Sequence, residues 1–482
     1  MRPRVLIAAP PRAGGAGHLV RGAAVAAMLC AGIVGAAAAE TRPLFKDFMA
    51  INGHFTFKPT LYKEVCRLTR NYHNLDWDVK APGDPIHVPA CVNGVDWKRD
   101  VYSKWQAAGI ETSICMQFGG FATDHPGYQK LWEKREDWCF EYGKAMAAFY
   151  GPSGAEKLCT SLEIGNEPGQ KFDQALYRTI FTAMAKGIRA GDAKVKIVTP
   201  SVVARKADDY SQDVRAMYED APTVALYDVL NIHTYAAAPR KPGKESPWTR
   251  SYPEDPGIDY LKVVDEMVAW RDQHAPGKAI WITEFGYDAC TAEAMKKREG
   301  WFLKLDWRGH DDLQQAQYLV RSFFAFAERD VARAYIYFYD DADSPMTHGC
   351  AGLTRNFVPK QSFWAVRQLQ RTLGDYRFAR SVEKRPGELC VDEYVHGSAP
   401  GRVIWAAWSP TGVRTDERDG YVPHQAKVTL KGLPAKPTKV LAMATADGEP
   451  EAVAWTPGAA GEISLTVGES PVYIVMDAAA GK

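Results

Sequence analysis

The sequence lacks the signature motifs of several common enzyme classes. No GxSxG nucleophile elbow, HExxH zinc motif or Walker A phosphate loop occurs in the 482 residues. No GxGxxG follows a strand-like run, so nothing indicates a dinucleotide. These absences argue against α/β-hydrolases, zinc proteases, nucleoside triphosphatases and NAD enzymes, and we predict no cofactor.

The sequence also has few cysteines and almost no net charge. The chain has 9 cysteines, none in a CxxC pair, so we do not expect a structural zinc site. Lysine and arginine total 59 against 58 acidic residues, for a formal net charge of +1. A balance of this kind leaves no electrostatic footprint for nucleic acid, and we predict no such partner.

Long apolar runs are missing too, apart from a short one near the start. Residues 1–39 hold four arginines and no acid, with an apolar run over 22–34 and small residues over 35–39. This order predicts a signal peptide over 1–39 and a secreted or periplasmic protein. A membrane anchor is the alternative, but the run is shorter than the ~20 residues needed to span a bilayer. Cleavage would remove Cys30 and leave an even number of cysteines, which permits disulfides of undetermined connectivity.

Length and periodicity predict two domains in the mature chain. A (β/α)8 barrel takes ~250 residues, so the chain has room for a second, smaller unit. Strand-like runs alternate with helical patterns over residues 40–375, which predicts an α/β fold, a parallel (β/α)8 TIM barrel. Short alternating runs over 376–482 predict an antiparallel β-sandwich. The predicted barrel strands are 47–55, 65–72, 110–118, 162–168, 195–203, 228–235, 279–286 and 334–339.

Two of these runs each deliver a glutamate to the point where a strand ends. The run 162–168 ends in Asn166-Glu167-Pro168, and the run 279–286 ends in Glu284-Phe285-Gly286. Active sites of parallel barrels lie at the C-terminal ends of the strands, so the two side chains can meet there. A glycosidase needs such a pair, one carboxyl group to protonate the leaving oxygen and one carboxylate to attack or to activate water.

Asn166-Glu167-Pro168 and Thr283-Glu284-Phe285-Gly286 resemble the fourth- and seventh-strand signatures of clan A glycoside hydrolases, which are retaining (β/α)8 enzymes. With the extra C-terminal domain, the chain is most similar to family 39 and its bacterial relatives. The resemblance implies that Glu167 is the acid/base and Glu284 the nucleophile. Retention further implies a carboxyl separation of ~5–5.5 Å, against ~6.5–9.5 Å for inversion.

The resemblance also implies roles for residues around the pair. Asn166 would hold the sugar 2-hydroxyl. Arg70, at the end of the second strand, would pair with the nucleophile, and Arg67 is the competing choice. His233 and Tyr235 match a histidine and a tyrosine near the nucleophile, although His233 is equally compatible with a core position.

Further candidates lie at or beyond other strand tips or in predicted loops. Glu163, in the strand of Glu167, is expected to be paired inside the barrel. The side chains that are candidates to line the donor subsite are His54, Tyr72, Tyr287, Tyr339 and Asp340. Most tryptophans are core, but we expect one or two of Trp77, Trp97, Trp248, Trp301 and Trp307 to stack on sugar rings, Trp301 among them.

The sequence therefore predicts an exported retaining β-glycoside hydrolase that acts on a polysaccharide or oligosaccharide. A non-catalytic carbohydrate-binding protein of polysaccharide export or assembly is the alternative, and a polysaccharide lyase is another. No metal is predicted, because the acidic run 340–343 lacks the glycine-centred loop of a calcium site. We expect a monomer without a membrane anchor after cleavage. Sugar identity, linkage and exo or endo action stay open, since loops decide them.

Overall fold

The structure, a computed structural model, describes residues 42–89, 91–92, 95–118, 129–168, 173–203, 221–240, 248–399 and 401–477. The predicted signal peptide lies outside these residues. None of the helices within the described ranges combines the length and the apolarity that crossing a bilayer would take.

Eight parallel strands close into a barrel, which confirms the predicted α/β fold class. Each strand pairs in parallel with the next along the chain, and the eighth pairs with the first. The barrel strands are β1 Met49–Gly53, β2 Leu68–Asn74, β3 Glu111–Gln117, β4 Ser161–Ile164, β5 Lys196–Val198, β6 Val229–His233, β7 Ala279–Phe285 and β8 Arg333–Ile336. One boundary prediction was wrong in a way that matters: β2 runs on to Asn74, so Arg70 lies in mid-strand rather than at the tip.

The barrel interior is layered. An apolar floor crosses it, formed by side chains such as Leu68 and Trp281. Two residues further along each of these strands, on the same face, come Arg70 and Thr283, which are buried and polar. The floor crosses the barrel near the N-terminal end, and the buried polar side chains beyond it lie towards the C-terminal mouth.

Helices surround the barrel on the outside. The α-helices are Phe45–Phe48, Pro59–Tyr62, Ser103–Ala107, Glu136–Tyr150, Gln174–Gly191, Ala221–Val224, Lys262–His274, Ala292–Met295, Gly300–Lys304, Asp312–Glu328 and Gln361–Leu373. A π-helix spans Trp97–Tyr102, and 3-10 turns span Leu75–Trp77, Gln129–Leu131 and Thr415–Glu417. Short strands lie in the connections at Cys91–Val92, Val95–Asp96, Val202–Val203, Ala237–Pro239, Trp248–Arg250, Asp340–Asp341, Thr354–Arg355 and Val358–Pro359.

The C-terminal region is an antiparallel β-sandwich, as predicted. Its strands are β9 Tyr376–Arg385, β10 Leu389–His396, β11 Arg402–Trp408, β12 Gln425–Lys431, β13 Pro437–Ala442, β14 Trp455–Pro457, β15 Glu462–Gly468 and β16 Val472–Asp477. They form a five-stranded sheet in the order β9-β10-β11-β16-β13 and a three-stranded sheet in the order β12-β15-β14. Alternate apolar side chains of both sheets, including Trp405 and Leu465, form a shared core.

Helix Asp312–Glu328 joins the sandwich to the barrel. It begins with a capping box, in which Asp311 and Gln314 each bond the other's backbone N–H. Nearly every face of the helix is buried, because the barrel covers one side and the sandwich the other. Phe324 packs on Trp408, and the Arg321 guanidinium pairs with Glu254. The sandwich is thereby fixed against the barrel wall.

The buried carboxyl group of Asp392, near Glu328 at the end of this helix, leads us to predict that the stability depends on pH. Burial, followed by the nearby charge of Glu328, raises the pKa of Asp392 to about 7. In the unfolded chain an aspartate titrates at about 3.9. The folded state therefore binds a proton that the unfolded state has lost, so this stabilisation is present at acid pH and disappears as the pH rises through about 7.

We expect Asp392→Asn to be more stable than the parent at pH 8 and to lose most of that advantage at pH 5. Asn keeps the oxygen that accepts from Ser381 Oγ at 2.9 Å but never carries a charge. The difference in free energy of unfolding between the two proteins should change by about 3 kcal/mol between these pH values. Urea unfolding at both pH values measures it. An advantage independent of pH would contradict the assignment.

Candidate active site

Glu284 reaches the barrel mouth because β7 is irregular at its end. The register between β6 and β7 shifts after Ile282, so that Glu284 lies opposite His233. The bulge breaks the alternation of a regular strand, and Thr283 and Glu284 both make contacts inside the barrel. The local pattern of apolar residues gives no sign of this bulge.

The Glu284 carboxylate is surrounded by hydrogen-bond donors and only 6% of the residue is exposed. Oε1 accepts from Tyr72 OH at 2.7 Å and from Arg70 Nη1 at 3.1 Å, and Oε2 accepts from Tyr235 OH at 2.8 Å. Burial, followed by the charge of Glu284, raises the pKa of both tyrosines well above the usual range, so both remain protonated and donate. An ionised carboxylate can accept all three bonds, which fix its position.

Glu167 is brought to the same place by a turn that requires glycine. β4 ends at Ile164, and Gly165 has a φ of +89°, which side chains other than glycine rarely adopt. A Cβ at Gly165 would lie 2.8 Å from both Phe118 Cε2 and Tyr177 OH. The chain turns here, and the side chain of Glu167 is left 38% exposed at the mouth.

The two glutamates face each other across the mouth. One carboxylate oxygen of Glu167, one of Glu284 and a ring nitrogen of His233 all lie within 4.8 Å of one another. His233 Nδ1 is 2.7 Å from Glu167 Oε1 and 3.4 Å from Glu284 Oε2. The nearest carboxylate oxygens are thus closer than the ~6.5–9.5 Å at which inverting enzymes hold their carboxyl groups.

The hydrogen bonds of His233 determine which of its nitrogens carries the proton. Burial lowers the pKa of His233 to about 3, so the ring is neutral near pH 7. Thr283 Oγ1 donates to Asn231 Oδ1 at 2.7 Å, and it therefore accepts from His233 Nε2 at 2.9 Å. The proton lies on Nε2, and Nδ1 presents a lone pair to Glu167. Across the 2.7 Å contact, this lone pair can accept a hydrogen bond from the acid form of Glu167.

Arg70 links both glutamate-bearing strands. Its guanidinium binds Glu163 through Nε at 2.6 Å and Nη2 at 2.7 Å, and Nη2 also reaches Asn166 Oδ1 at 2.7 Å. Arg70 and Glu163 are both fully buried, as the prediction of an internal pair for Glu163 requires. The competing residue Arg67 is exposed at the start of the strand. Arg70 is thus the arginine at the site, although it lies in mid-strand.

Comparison with solved structures gives the fold a name. A family 39 glycoside hydrolase from Bacteroides cellulosilyticus superposes with a TM-score of 0.64 at 17% identity, covering 91% of this chain and 81% of that one. The GH39 enzyme from Xanthomonas axonopodis pv. citri gives 0.56 at 15% identity over 92% and 96%. A monomeric β-xylosidase from Caulobacter crescentus gives 0.58 at 15% over 91% and 97%. The chain has the fold of the family 39 glycoside hydrolases. No family model and no curated protein sequence matches it.

Within this family 39 fold, three predicted positions gather at the glutamate pair. Asn166 is held by Arg70 through its oxygen, and among the described residues no acceptor faces its amide Nδ2. That N–H group is left to donate into the mouth. His233 and Tyr235 contact Glu167 and Glu284 respectively. Substrate binding by these three residues stays a prediction.

Other predictions were wrong because the side chains are buried elsewhere. Tyr287 is 1% exposed, and its hydroxyl bonds Ser322 Oγ at 2.8 Å beneath helix Asp312–Glu328, where no substrate reaches it. Tyr339 packs among Phe57 and Tyr62 in the core. Trp97 and Trp307 are core residues as well.

The remaining predictions are not brought against the glutamates. His54 packs on Phe55 and Trp77, and burial lowers its pKa to about 4. Asp340 Oδ1 accepts from Thr354 Oγ1 at 2.6 Å and from a backbone N–H, so it shapes the loop after β8. Trp301 is 65% exposed on a short surface helix. A sugar platform at Trp301 stays a prediction.

Two residues at the site were missed or underrated. Tyr72 follows Arg70 by two positions, so strand alternation alone places both on the inner face. His348 has no such signal, since it lies in a loop with a left-handed φ of 65°. Its ring packs against Tyr235 at 4.7 Å and Tyr337 at 5.2 Å between centroids, and burial lowers its pKa.

The same cluster contains side chains of the types that bind metal ions. Two carboxylates and one imidazole within 4.8 Å are suitable ligands for a divalent cation. However, Arg70 already places a positive charge 3.1 Å from Glu284, and both oxygens of that carboxylate accept hydrogen bonds. The donor set fits an anionic attacking group better than it fits a metal ligand.

Proposed function

We propose that this protein is a retaining β-glycoside hydrolase that is exported and cleaves a polysaccharide or oligosaccharide by double displacement. The observation that carries the proposal is the approach of Glu167 and Glu284 within 4.8 Å at the mouth of a closed barrel. A short approach of this kind suits direct attack by a carboxylate and falls below the ~6.5–9.5 Å separation of inverting enzymes. The sequence of residues 1–39 supports export.

In the first step Glu284 attacks the anomeric carbon while the glycosidic C–O bond breaks. The leaving oxygen takes the proton of Glu167, and a glycosyl ester forms on Glu284. Tyr72, Tyr235 and Arg70 hold the carboxylate in place before the attack, so little reorganisation is needed. Asn166 Nδ2 is placed to bind a sugar hydroxyl beside the bond that breaks.

In the second step a water attacks the anomeric carbon and releases Glu284. Glu167, now ionised, takes the proton of that water and is ready for another cycle. The side chain is 38% exposed, which gives water access to it. The protonated Glu167 then donates a hydrogen bond to His233 Nδ1 again, and the neutral ring favours the acid form of Glu167.

Thr283→Val should weaken this preparation of the acid without removing either glutamate. Valine has a similar shape but cannot accept from His233 Nε2, so the ring is free to place its proton on Nδ1. We expect kcat on substrates with poor leaving groups to fall by roughly 10- to 100-fold, a part of what a positioned acid contributes. Activated aryl glycosides, whose leaving groups need little protonation, should lose much less.

The matched control is Thr283→Ser, which keeps the hydroxyl. The alkaline limb of the pH–rate profile should move to lower pH in the valine variant and stay in place in the serine variant. An equal loss on both classes of leaving group would show that Thr283 acts only through packing.

The proposal is tested by incubating the full-length mature protein with a panel of β-linked polysaccharides, oligosaccharides and aryl glycosides. Xylosides belong in the panel because one structural neighbour is a β-xylosidase. Mass spectrometry detects the products, and proton NMR during the first minutes identifies the anomer. Release of the anomer with retained configuration is expected, and inversion would overturn the mechanism.

Two rival functions give different results in the same assay. A carbohydrate-binding protein of polysaccharide export or assembly would bind glycans without releasing any product. A polysaccharide lyase would give unsaturated chain ends that absorb in the ultraviolet.

A further inference from the structure

The loops that follow β7 and β8 are joined beside the candidate active site. The backbone N–H of Ala289 donates to the carbonyl of Cys350 at 2.9 Å, so residues 289 and 350 are direct neighbours. Lys360 Nζ donates to the Cys350 carbonyl at 3.2 Å from the other side. Cys290 therefore directly follows Ala289, whose backbone is hydrogen-bonded to the backbone of Cys350.

The two thiols meet in one buried cluster. Cys290 is 8% exposed and Cys350 is fully buried, and both pack with Leu305 and Trp307. The Cys290 thiol interacts directly with the Cys350 thiol and raises its pKa, an influence second only to burial. Cys290 Sγ also lies 3.6 Å from the carbonyl oxygen of Ser344.

Other cysteines of the described chain have different surroundings. Cys115 contacts the guanidinium of Arg70 at 3.2 Å, and Cys66 donates to the carbonyl of Leu68. Cys290 also lines an open surface cavity of about 630 Å³, so an oxidant can reach one thiol of the pair.

We propose that Cys290 and Cys350 form a disulfide in the exported protein. The reaction is thiol–disulfide exchange with a small-molecule or protein disulfide of an oxidising compartment. The Cys290 thiolate attacks one sulfur of that disulfide, which breaks its S–S bond, releases one thiolate and leaves a mixed disulfide on Cys290. The Cys350 thiolate then attacks the Cys290 sulfur, and the remaining half of the oxidant leaves as the second thiolate. One S–S bond forms in the protein, and the oxidant takes up two electrons and two protons as two thiols. The inference rests on the proposed export and is independent of the hydrolase activity.

The cross-link would tie together the two loops that flank Glu284. Cys350 is two residues from His348, whose ring packs on Tyr235, and Tyr235 donates to Glu284. Cys290 is two residues from Asp288, which pairs with Arg250 at 3.1 Å. Closing about 60 residues into a loop lowers the entropy of the unfolded chain, so the main effect is on stability.

Peptide mapping tests the pair in the full-length mature protein. The protein is incubated with oxidised glutathione, free thiols are alkylated, and trypsin is added without reductant. Peptides 279–296 and 334–355 contain one cysteine each, and we expect them to be recovered as one linked species lighter than their sum by two hydrogens. Recovery of both peptides in alkylated form, or linkage of either to another cysteine, would overturn the proposal.

Thermal unfolding provides the second readout. Reduction of the oxidised wild type should lower the melting temperature by about 3–5 °C, whereas the same reductant should leave Cys290→Ser unchanged. An equal shift in both proteins would assign the effect to a different bond. If the serine variant does not fold, the wild-type peptide map decides alone.

Discussion

Glu284→Gln is expected to lose glycosidase activity by about 10⁴- to 10⁶-fold while keeping its fold. Glutamine has the shape of glutamate, and its one oxygen can still accept from Tyr72 or from Tyr235, but its amide does not attack an anomeric carbon. Because the covalent intermediate depends on this one group, both kcat and kcat/KM should fall. Steady-state kinetics on the best substrate of the panel measures the loss.

Glu293→Gln is the matched control for this result. Glu293 lies on the surface helix Ala292–Met295 and forms an ion pair with Lys296 that is exposed to solvent. Its replacement should leave kcat/KM within about twofold, since exposed pairs of this kind contribute little. Retained activity in Glu284→Gln would contradict the assignment of Glu284 as the nucleophile.

A small external anion distinguishes the two glutamates. Glu284→Gly leaves a cavity on the side of the attacking group, so azide should restore turnover of an activated glycoside and give the inverted glycosyl azide. In Glu167→Gly the nucleophile is intact, and azide should replace water in the second step and give the retained product. Identical stereochemistry from the two variants would show that the roles are not divided as proposed.

Arg70→Met is expected to abolish activity and also to destabilise the fold by about 3–5 kcal/mol. The guanidinium makes two bonds to Glu163, and removing it leaves a buried carboxyl group without its partner. Glu284 and Asn166 lose a donor in the same step. Urea unfolding measures the loss in stability, and kinetics measures the loss in activity.

The double variant Arg70→Met/Glu163→Leu separates these two effects. With both charges replaced by apolar side chains of similar size, most of the stability should return, because a buried ion pair is replaceable by good packing. Activity should not return, since Glu284 still lacks its cationic partner. Recovery of activity with stability would show that Arg70 acts only by supporting the fold.

The pattern of short runs was sufficient to predict the barrel, the sandwich and the positions of Glu167 and Glu284. The two glutamates follow from local features: each lies at the end of a strand-like apolar run, next to a glycine or a proline where the chain turns. His233 and Tyr235 both reach the glutamate pair, where the resemblance placed them, although β6 ends at His233. Tyr72 follows from strand alternation once Arg70 is known to point inward.

Tertiary contacts decided the rest, because the position of a strand tip depends on neighbouring strands. β2 continues to Asn74 since it pairs along its whole length with β3, and this pairing moves Arg70 to the middle of the strand. Tyr287 follows Glu284 by three residues and was expected at the mouth, but helix Asp312–Glu328 covers it. A single sequence does not indicate which helix will pack over a given strand end.

The sequence by itself determined which segments form strands and helices, the order of these elements and the positions of the two glutamates at strand ends. These features depend on neighbouring residues along the chain. Only the tertiary structure decided that His233 carries its proton on Nε2, that β7 bulges at Thr283 and that the loop with His348 returns to Tyr235. Each of these depends on atoms that are far apart in the chain and become neighbours only when the barrel closes.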